Sequence, residues 1–139
     1  MSEVWFDDGV DFSPRNLITR QNVGDISGTI NVDVVYPGIV PANAKSLILT
    51  VERGFLSIPT LGTGCVSLRV MPSRWNLSRV LDRAKTQEWI VGSMGIDVIA
   101  QDVRMPITTG RRDFFYALQS TCPAEANKMM IIDCWGYTI

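Results

Sequence analysis

The sequence GRRDFFYALQSTCPAEANKMMIIDCWGYTI occupies residues 110–139 and decides the fold. Apolar and polar side chains alternate from Asp113 to Ser120, with the period of two that a β-strand imposes. After a break at residues 121–127, the run from Lys128 to Ile139 is apolar on both faces. An edge strand or a solvated tail would leave many of these side chains in water. We therefore predict two strands joined by a turn, a hairpin whose second strand lies inside a sheet and is covered on both faces.

The composition is that of a folded single domain with little charge. The chain has 139 residues, of which 46% are apolar and 19% charged, and its formal net charge is −1. A chain of this length buries roughly 68–70% of the surface that its unfolded form exposes, so no disulfide or metal is needed. The near-neutral charge argues against a nucleic-acid partner bound through its phosphates. No signal peptide or run of ~18 apolar residues is found, so we expect a cytosolic protein without a membrane partner, unless it leaves the cell within a larger particle.

The same alternation predicts further strands upstream. Gly and Pro residues separate these strands at short intervals, which is typical of antiparallel β-proteins and not of βαβ units. In the predicted strand Lys45–Arg53, the side chains of Leu47, Leu49 and Val51 are expected to point into the core. The fold class is therefore all-β, an antiparallel sandwich. The predicted strands are Thr29–Tyr36, Lys45–Arg53, Cys65–Met71, Glu88–Val91 and Ile96–Val103, followed by a kinked edge at residues 105–107.

One segment has the period of a helix instead. From Trp75 to Gln87, apolar residues at positions 77, 80, 81 and 84 recur at helical spacing, and charged residues take the other face. Ser73 or Asn76 is suited to cap its start. We expect one short helix that lies across the sandwich with its charged face in solvent.

Residues 1–28 show neither strand nor helix periodicity. Large apolar side chains, including Trp5, Phe6 and Phe12, are scattered among acidic and basic residues. Such a segment needs a surface to lie on, either its own domain or a neighbouring chain. We interpret residues 1–28 as an extended N-terminal arm that grips a neighbour, and residues 29–139 as the sandwich domain. An irregular first strand of the same sandwich is the alternative.

The connection at residues 54–64 is a second candidate for contact with a partner. It holds four large apolar residues between Gly and Pro residues that prevent a strand. Because loops lie on the surface, these side chains either fold back over an open end of the sandwich, which we favour, or are offered to a partner. The predicted interface residues are Trp5, Phe6, Phe12, Phe55, Leu56, Ile58 and Leu61.

The sequence indicates no reaction chemistry. It has no histidine, so a nucleophile lacks its usual base and a mixed Cys/His zinc site is excluded. Cys65, Cys122 and Cys134 are far apart and lack the C-x-x-C spacing, and we interpret them as buried apolar residues. The acidic residues 7–11 lack the length and the distal glutamate of an EF-hand and are interpreted as a turn. We expect no enzymatic activity, no catalytic residue, no metal and no cofactor.

Three short motifs occur in a defined order along the chain. They are VPANAKSLIL at residues 40–49, RDFFY at residues 112–116 and DCWGY at residues 133–137. These motifs and their order resemble those of small β-sandwich proteins of tailed-phage virions, over about residues 29–139. Residues 1–28 fall outside the resemblance, and the segment from Leu77 to Gln87 is interpreted as an insertion. The resemblance implies a jelly-roll-like antiparallel sandwich.

The same resemblance implies a non-enzymatic virion building block, either a capsid decoration or cement protein or the tip domain of a fibre. No collagen-like, coiled-coil or β-helical shaft precedes the sandwich, so we favour the capsid. The implied partners are the major capsid protein or other virion proteins, together with further copies of the chain, a trimer being favoured. Copies that bridge capsomers stabilise the shell because they bind only its assembled form. The implied location is the virion, assembled in the host bacterial cytoplasm.

Other functions stay open at this point. They are a tail-fibre or receptor-binding tip domain, a carbohydrate-binding β-sandwich module and a host-encoded structural or adhesion domain. A carbohydrate-binding module would need an exposed aromatic platform, for which Trp75 and Trp89 are candidates.

Overall fold

The structure is a computed structural model that describes residues 2–55, 63–72, 84–91, 97–120 and 128–139. The strands form two antiparallel sheets, which confirms the predicted all-β sandwich. In chain order the elements are β1 (Glu3–Trp5), β2 (Arg15–Val23), β3 (Ile26–Asn31), α1 (Val32–Val35), β4 (Ser46–Phe55), β5 (Thr63–Pro72), β6 (Ala84–Val91), β7 (Asp97–Pro106), β8 (Asp113–Ser120) and β9 (Lys128–Thr138).

The strands divide between two sheets that share one core. The β9 sheet has the order β1-β9-β4-β7, with β2 also paired to β9, and the β8 sheet has the order β3-β8-β5-β6. From β2 onward, every connection passes from one sheet to the other, except that between β5 and β6. This interleaving of two antiparallel sheets is the arrangement of a jelly roll.

Strand β9 is central, as predicted. β4 pairs with it from Ser46↔Thr138 to Phe55↔Lys128, and β1 and β2 share its other edge. Its inner face is fully buried in the core, where Met130, Ile132 and Cys134 are each 0% exposed. Its outer face is buried at Met129 but only half-buried at Ile131, Asp133 and Trp135, so the predicted cover on both faces holds for the outer face only in part. In a two-layer sandwich, the outer face of each sheet has no further layer to cover it.

The predicted hairpin between β8 and β9 is wrong. Both strands lie where the sequence predicts them, but β8 pairs with β3 and β5 in one sheet. β9 pairs with β1, β2 and β4 in the other sheet. Alternation of apolar residues identifies a strand and its buried face, but it does not identify the neighbour that completes the hydrogen bonds of that strand.

The predicted strand Thr29–Tyr36 ends early, because β3 stops at Asn31 and α1 follows. The Asn31 side chain accepts a hydrogen bond from the backbone N–H of Asp33 at 2.9 Å and so caps the helix. Nη2 of Arg112 donates to Oδ1 of Asp33 at 3.1 Å, which anchors α1 to the entrance of β8. The cap at Asn31 and the hydrogen bond from Arg112 thus favour a helix at residues 32–35, although the valines there alternate as they would in a strand.

The predicted helix Trp75–Gln87 is wrong over its described part. Residues 84–87 belong to β6, which pairs with β5 from Val70↔Ala84 to Thr63↔Val91. Hydrogen bonding to a neighbouring strand overrides the helical spacing, because propensity is weaker than tertiary pairing. Residues 75–83 lie outside the described part of the chain, and Trp89 lies in β6.

Two segments of the predicted arm, residues 3–5 and 15–23, form strands of the β9 sheet. β1 pairs with the end of β9, and β2 continues in the same direction along the rest of it. Leu17 and Ile18 of β2 are buried in the core, and β3 crosses the predicted boundary at residue 28. In this structure the surface on which the segment lies is the edge of β9 in its own domain.

Candidate functional site

Residues 6–13, here called the N-terminal hairpin, project from the edge of the sheet between β1 and β2. The backbone N–H of Phe6 donates to the carbonyl oxygen of Trp135 at 2.8 Å, and the carbonyl oxygen of Phe6 accepts from the N–H of Ser13 at 2.9 Å. Asp7 and Phe12 form an isolated β-bridge further out. The chain thus leaves β9 and returns to it at nearly the same point.

Aspartate side chains hold the turn of this hairpin. Asp7 accepts a hydrogen bond from the N–H of Gly9 at 3.1 Å, and Oδ1 of Asp8 accepts from the N–H groups of Val10 and Asp11 at 3.0 Å each. The hydrogen bonds from Asp11 and Val10 lower the pKa of Asp8 because they stabilise its charged form. These acidic residues form the turn that the sequence predicts.

An aromatic cleft of about 200 Å³ lies beside the hairpin on the outer face of the β9 sheet. Two aromatic side chains from the N-terminal segment form one of its walls, with the ring centroids of Trp5 and Phe12 5.5 Å apart. The residues that line the aromatic cleft are Trp5, Phe12, Ile48, Thr50, Asp102, Arg104 and Trp135.

Strand alternation and register bring the polar residues of the cleft together. Val103 is buried in the core, so its neighbours Asp102 and Arg104 point to the outer face of the sheet. Pairing between β4 and β7 places Asp102 opposite Thr50 and Arg104 opposite Ile48. A carboxylate, a guanidinium and a hydroxyl group therefore lie on one small area of the sheet.

The aromatic rings cover the floor of the cleft and keep open surface of their own. Ile48 lies on the outer face, yet it is only 2% exposed, whereas Trp5 is 36% and Phe12 59% exposed. The outer face of an antiparallel sheet is ordinarily polar. Here it carries an apolar floor and aromatic walls that remain accessible to a ligand.

Specific contacts fix two of the walls. The indole Nε1–H of Trp135 donates to Oγ1 of Thr50 at 2.9 Å. Nη2 of Arg104 lies 2.8 Å from Oε2 of Glu3, and the guanidinium lies over the Trp5 ring, 5.8 Å from its centroid. Both partners of this ion pair are more than 40% exposed, so it contributes little to stability. Its consequence is positional, because it ties β1 to β7 across the cleft.

Gly136 allows β1 to approach β9 closely enough to place Trp5 in this wall. A Cβ atom at Gly136 would overlap the carbonyl oxygen of Val4 and lie 2.9 Å from the Cα of Trp5. Both obstacles are backbone atoms, which cannot turn aside as a flexible side chain can.

The predicted interface residues are only partly brought together. Trp5 and Phe12 meet in the aromatic cleft, whereas Phe6 packs against Tyr137, with ring centroids 6.1 Å apart, and against the core. Phe55 ends β4, about 17 Å along the strand from Thr50 at 3.4 Å per residue. Leu56, Ile58 and Leu61 lie outside the described residues.

Sequence reasoning missed the other residues of the cleft. The spacing of Asp102 and Arg104 on one face of β7 was a usable signal, because side chains two positions apart share a face. The apolar run from Lys128 predicts that Trp135 is buried, whereas the structure leaves it half-buried. Trp135 lines a cleft with Trp5 because β1 pairs with β9. The sequence of β1 does not indicate this pairing.

The described residues include the free cysteine Cys134. Cys134 is buried, and this burial raises the pKa of its thiol to about 11, which disfavours the nucleophilic thiolate. No group of three or more Cys, Asp or Glu side chains among these residues is placed to hold a metal ion. Nor does a helix there have the length and hydropathy required to cross a membrane.

Comparison with known proteins gives structural similarities but no family. No family model and no curated protein sequence matches the chain. A chain in the full particle of Israeli acute paralysis virus is 10% identical with a TM-score of 0.41, over 91% of this chain and 70% of that one.

Two further solved structures are sugar-binding proteins. The xylan-binding domain from CBM 22 is 12% identical with a TM-score of 0.37, over 81% of this chain and 64% of that one, which is less than two thirds of its length. The sugar-binding C-terminal domain of EclA is 15% identical with a TM-score of 0.37, over 88% of this chain and 76% of that one. The neighbours thus include structural proteins of virus particles and sugar-binding modules. At these TM-scores the likeness assigns neither role to this chain.

Proposed function

We propose that this protein is a non-enzymatic structural protein of a phage virion, a capsid decoration or cement protein that attaches to the major capsid protein. The observation that carries the proposal is the apolar surface of the N-terminal hairpin. Val10 at its turn is 94% exposed, and Phe12 is 59% exposed. The resemblance of residues 29–139 to virion β-sandwich proteins supplies the context of the particle.

The hairpin is suited to attachment because its shape is set before a partner arrives. Asp7 and Asp8 accept three hydrogen bonds from backbone N–H groups, and these bonds hold the turn. A segment that is already ordered loses less conformational entropy on binding than a flexible one. Apolar side chains that project from an ordered turn, an aromatic one among them, can serve as anchors at the centre of an interface.

Charge indicates the kind of surface that the hairpin would meet. Asp7, Asp8 and Asp11 surround Val10, and no basic residue occurs between positions 2 and 14. A complementary partner surface therefore has an apolar socket with a basic rim. We propose such a socket on the capsid shell, with self-association of the chain into a homo-oligomer, a trimer being favoured, as the second part of the assembly.

The test is substitution at the turn, because deletion of residues 1–28 would also remove β1, β2 and part of β3. A Val10→Ser, Phe12→Ser variant should fold like the parent protein and bind undecorated phage capsids about tenfold more weakly or worse, since an anchor commonly contributes more than ~1.4 kcal/mol. Val34→Ser is the matched control, because Val34 is also an exposed valine, 77% accessible, but lies on α1.

Binding is measured by co-sedimentation of the full chain with capsids and by the occupancy on the particle. Equal occupancy of the double variant and the Val34→Ser control would contradict the proposal. So would binding of the parent chain to host cells but not to capsids, which would instead indicate the tip domain of a fibre.

A further inference from the structure

We infer that the aromatic cleft is a binding site for a single pyranose ring of a glycan. The inference goes beyond the proposed attachment to capsids, which uses Val10 and Phe12 of the N-terminal hairpin. Phe12 also lines the cleft, but the inference does not depend on that attachment. It rests on the chemistry of the cleft walls, on the polar groups at its rim and on its size.

The walls match the two kinds of surface that a sugar ring presents. A pyranose has faces of C–H groups, which pack on aromatic rings, and a periphery of hydroxyl groups, which need hydrogen-bond partners. Trp5, Phe12 and Trp135 supply aromatic surface above the buried floor of Ile48. An apolar lining with a few placed polar groups is the usual composition of a small-molecule site.

The polar groups of the cleft retain hydrogen-bonding capacity. Asp102 is exposed and makes no hydrogen bond or ion pair within the described residues, so both carboxylate oxygens can accept from hydroxyl groups. Arg104 directs Nε and Nη2 to Glu3, and since a guanidinium has five N–H donors, others remain for a ligand. Donor and acceptor therefore stand two residues apart on β7.

The same groups argue against an anionic and against a purely apolar ligand. The guanidinium of Arg104 is already paired with Glu3, so the carboxylate of Asp102 leaves the rim with a net negative charge, which disfavours an anion. A purely apolar ligand would cover Asp102 without replacing the hydrogen bonds that it makes to water, and an unpaired charge is costly to bury. A neutral polyhydroxy ring satisfies both groups.

The volume fits one ring and not a longer ligand. The cleft encloses about 200 Å³, which is below the roughly 300–1,000 Å³ of pockets for drug-sized ligands. The partial exposure of Trp5 and Phe12 leaves the cleft open to solvent. Further sugar residues of a glycan can therefore extend away from the surface.

The experiment uses the full chain and the methyl glycosides of glucose, galactose, mannose and N-acetylglucosamine. Saturation-transfer NMR detects contact of the ring C–H groups with the protein, and tryptophan fluorescence gives the affinity. We expect one or more of these probes to bind with a Kd on the order of 1 mM, a free energy of about −4 kcal/mol. Absence of saturation transfer with all four probes would overturn the inference.

Two substitutions locate the binding. Asp102→Asn keeps the shape of the cleft but removes the charged acceptor and should weaken binding about tenfold, as expected for loss of a charge-assisted hydrogen bond. Glu52→Gln is the matched control, because Glu52 lies on β4, on the outer face of the same sheet, but does not line the cleft. The affinity of this variant should equal that of the parent chain. Equal affinity of both variants would contradict the assignment of the site.

Two comparisons separate this inference from its rivals. Val10→Ser should bind the methyl glycosides as the parent chain does, even where its attachment to capsids is lost, so the two proposals can fail independently. Cyclohexanol has a ring of similar size without the hydroxyl periphery. If it binds as tightly as the best glycoside, and equally well to Asp102→Asn, the cleft is an apolar pocket and the sugar assignment is wrong.

Discussion

Replacement of Gly136 by alanine should displace β1 from the sheet and open the aromatic cleft. The added Cβ would overlap the carbonyl oxygen of Val4 and lie 2.9 Å from the Cα of Trp5. β9 is held from both sides by β4 and β2, whereas β1 pairs with it at only three positions, Glu3 to Trp5. We therefore expect β1 to yield, and Trp5 to leave its place against Phe12.

Two estimates give a similar magnitude for this change. If the strands stay together, overpacking costs about 1–3 kcal/mol. If β1 detaches, the domain loses backbone hydrogen bonds such as those between Ser2 and Ile139 and between Phe6 and Trp135, at about 0.5–1.5 kcal/mol each. The free energy of unfolding should consequently fall by about 2 kcal/mol.

Urea denaturation followed by far-UV circular dichroism measures that free energy, and tryptophan fluorescence in the absence of denaturant reports the exposure of Trp5. Gly110→Ala is the matched control, because a Cβ at Gly110 would meet no atom within 4 Å. Its effect should stay within about 0.5 kcal/mol. If Gly136→Ala unfolds at the same urea concentration as Gly110→Ala, with unchanged fluorescence, then β1 is not seated on β9 and the basis of the cleft is refuted.

Further substitutions test the core, the central strand and the thiol. Phe114→Ala should lower the free energy of unfolding by about 3–5 kcal/mol, since Phe114 is 0% exposed. Phe12→Ala should change that free energy by less than about 0.5 kcal/mol. Equal urea midpoints of the two variants would contradict this difference. Removal of residues 128–139 deletes the strand that joins β1, β2 and β4, so the product should lack the circular dichroism of a folded β-protein. A soluble product with an unchanged spectrum would show that β9 is dispensable. Burial raises the pKa of the Cys134 thiol in the folded state to about 11, whereas its ordinary value is 9.0. Rising pH through that interval should therefore destabilise the parent chain more than Cys134→Ala, and parallel pH profiles of stability would contradict that burial.

Local sequence patterns identify strands well in this chain because the evidence for a strand lies within the strand. The predicted inward residues Leu47, Leu49 and Val51 are each 0% exposed. The alternation from Asp113 to Ser120 corresponds to β8, and the apolar run from Lys128 corresponds to β9. A period of two reflects the pleat of the backbone itself.

Partner choice lies beyond such patterns. β8 and β9 are neighbours in sequence but belong to different sheets, and helical spacing up to Ala84 does not prevent β6 from pairing with β5. Hydrogen bonds between strands join backbone groups that are alike in every residue except proline. The sequence therefore determined which faces must be buried, and only the packing of the two layers decided which edges meet.

The candidate site divides in the same way. The sequence indicated that Trp5 and Phe12 are apolar side chains in an irregular segment in need of a surface, and both line the aromatic cleft. That this surface is their own domain, and that Asp102, Arg104 and Trp135 complete the cleft, follows from the register of β1, β9, β4 and β7. A cleft is a relation between residues far apart in the chain, so its formation depends on long-range pairing, which the tertiary structure alone decides.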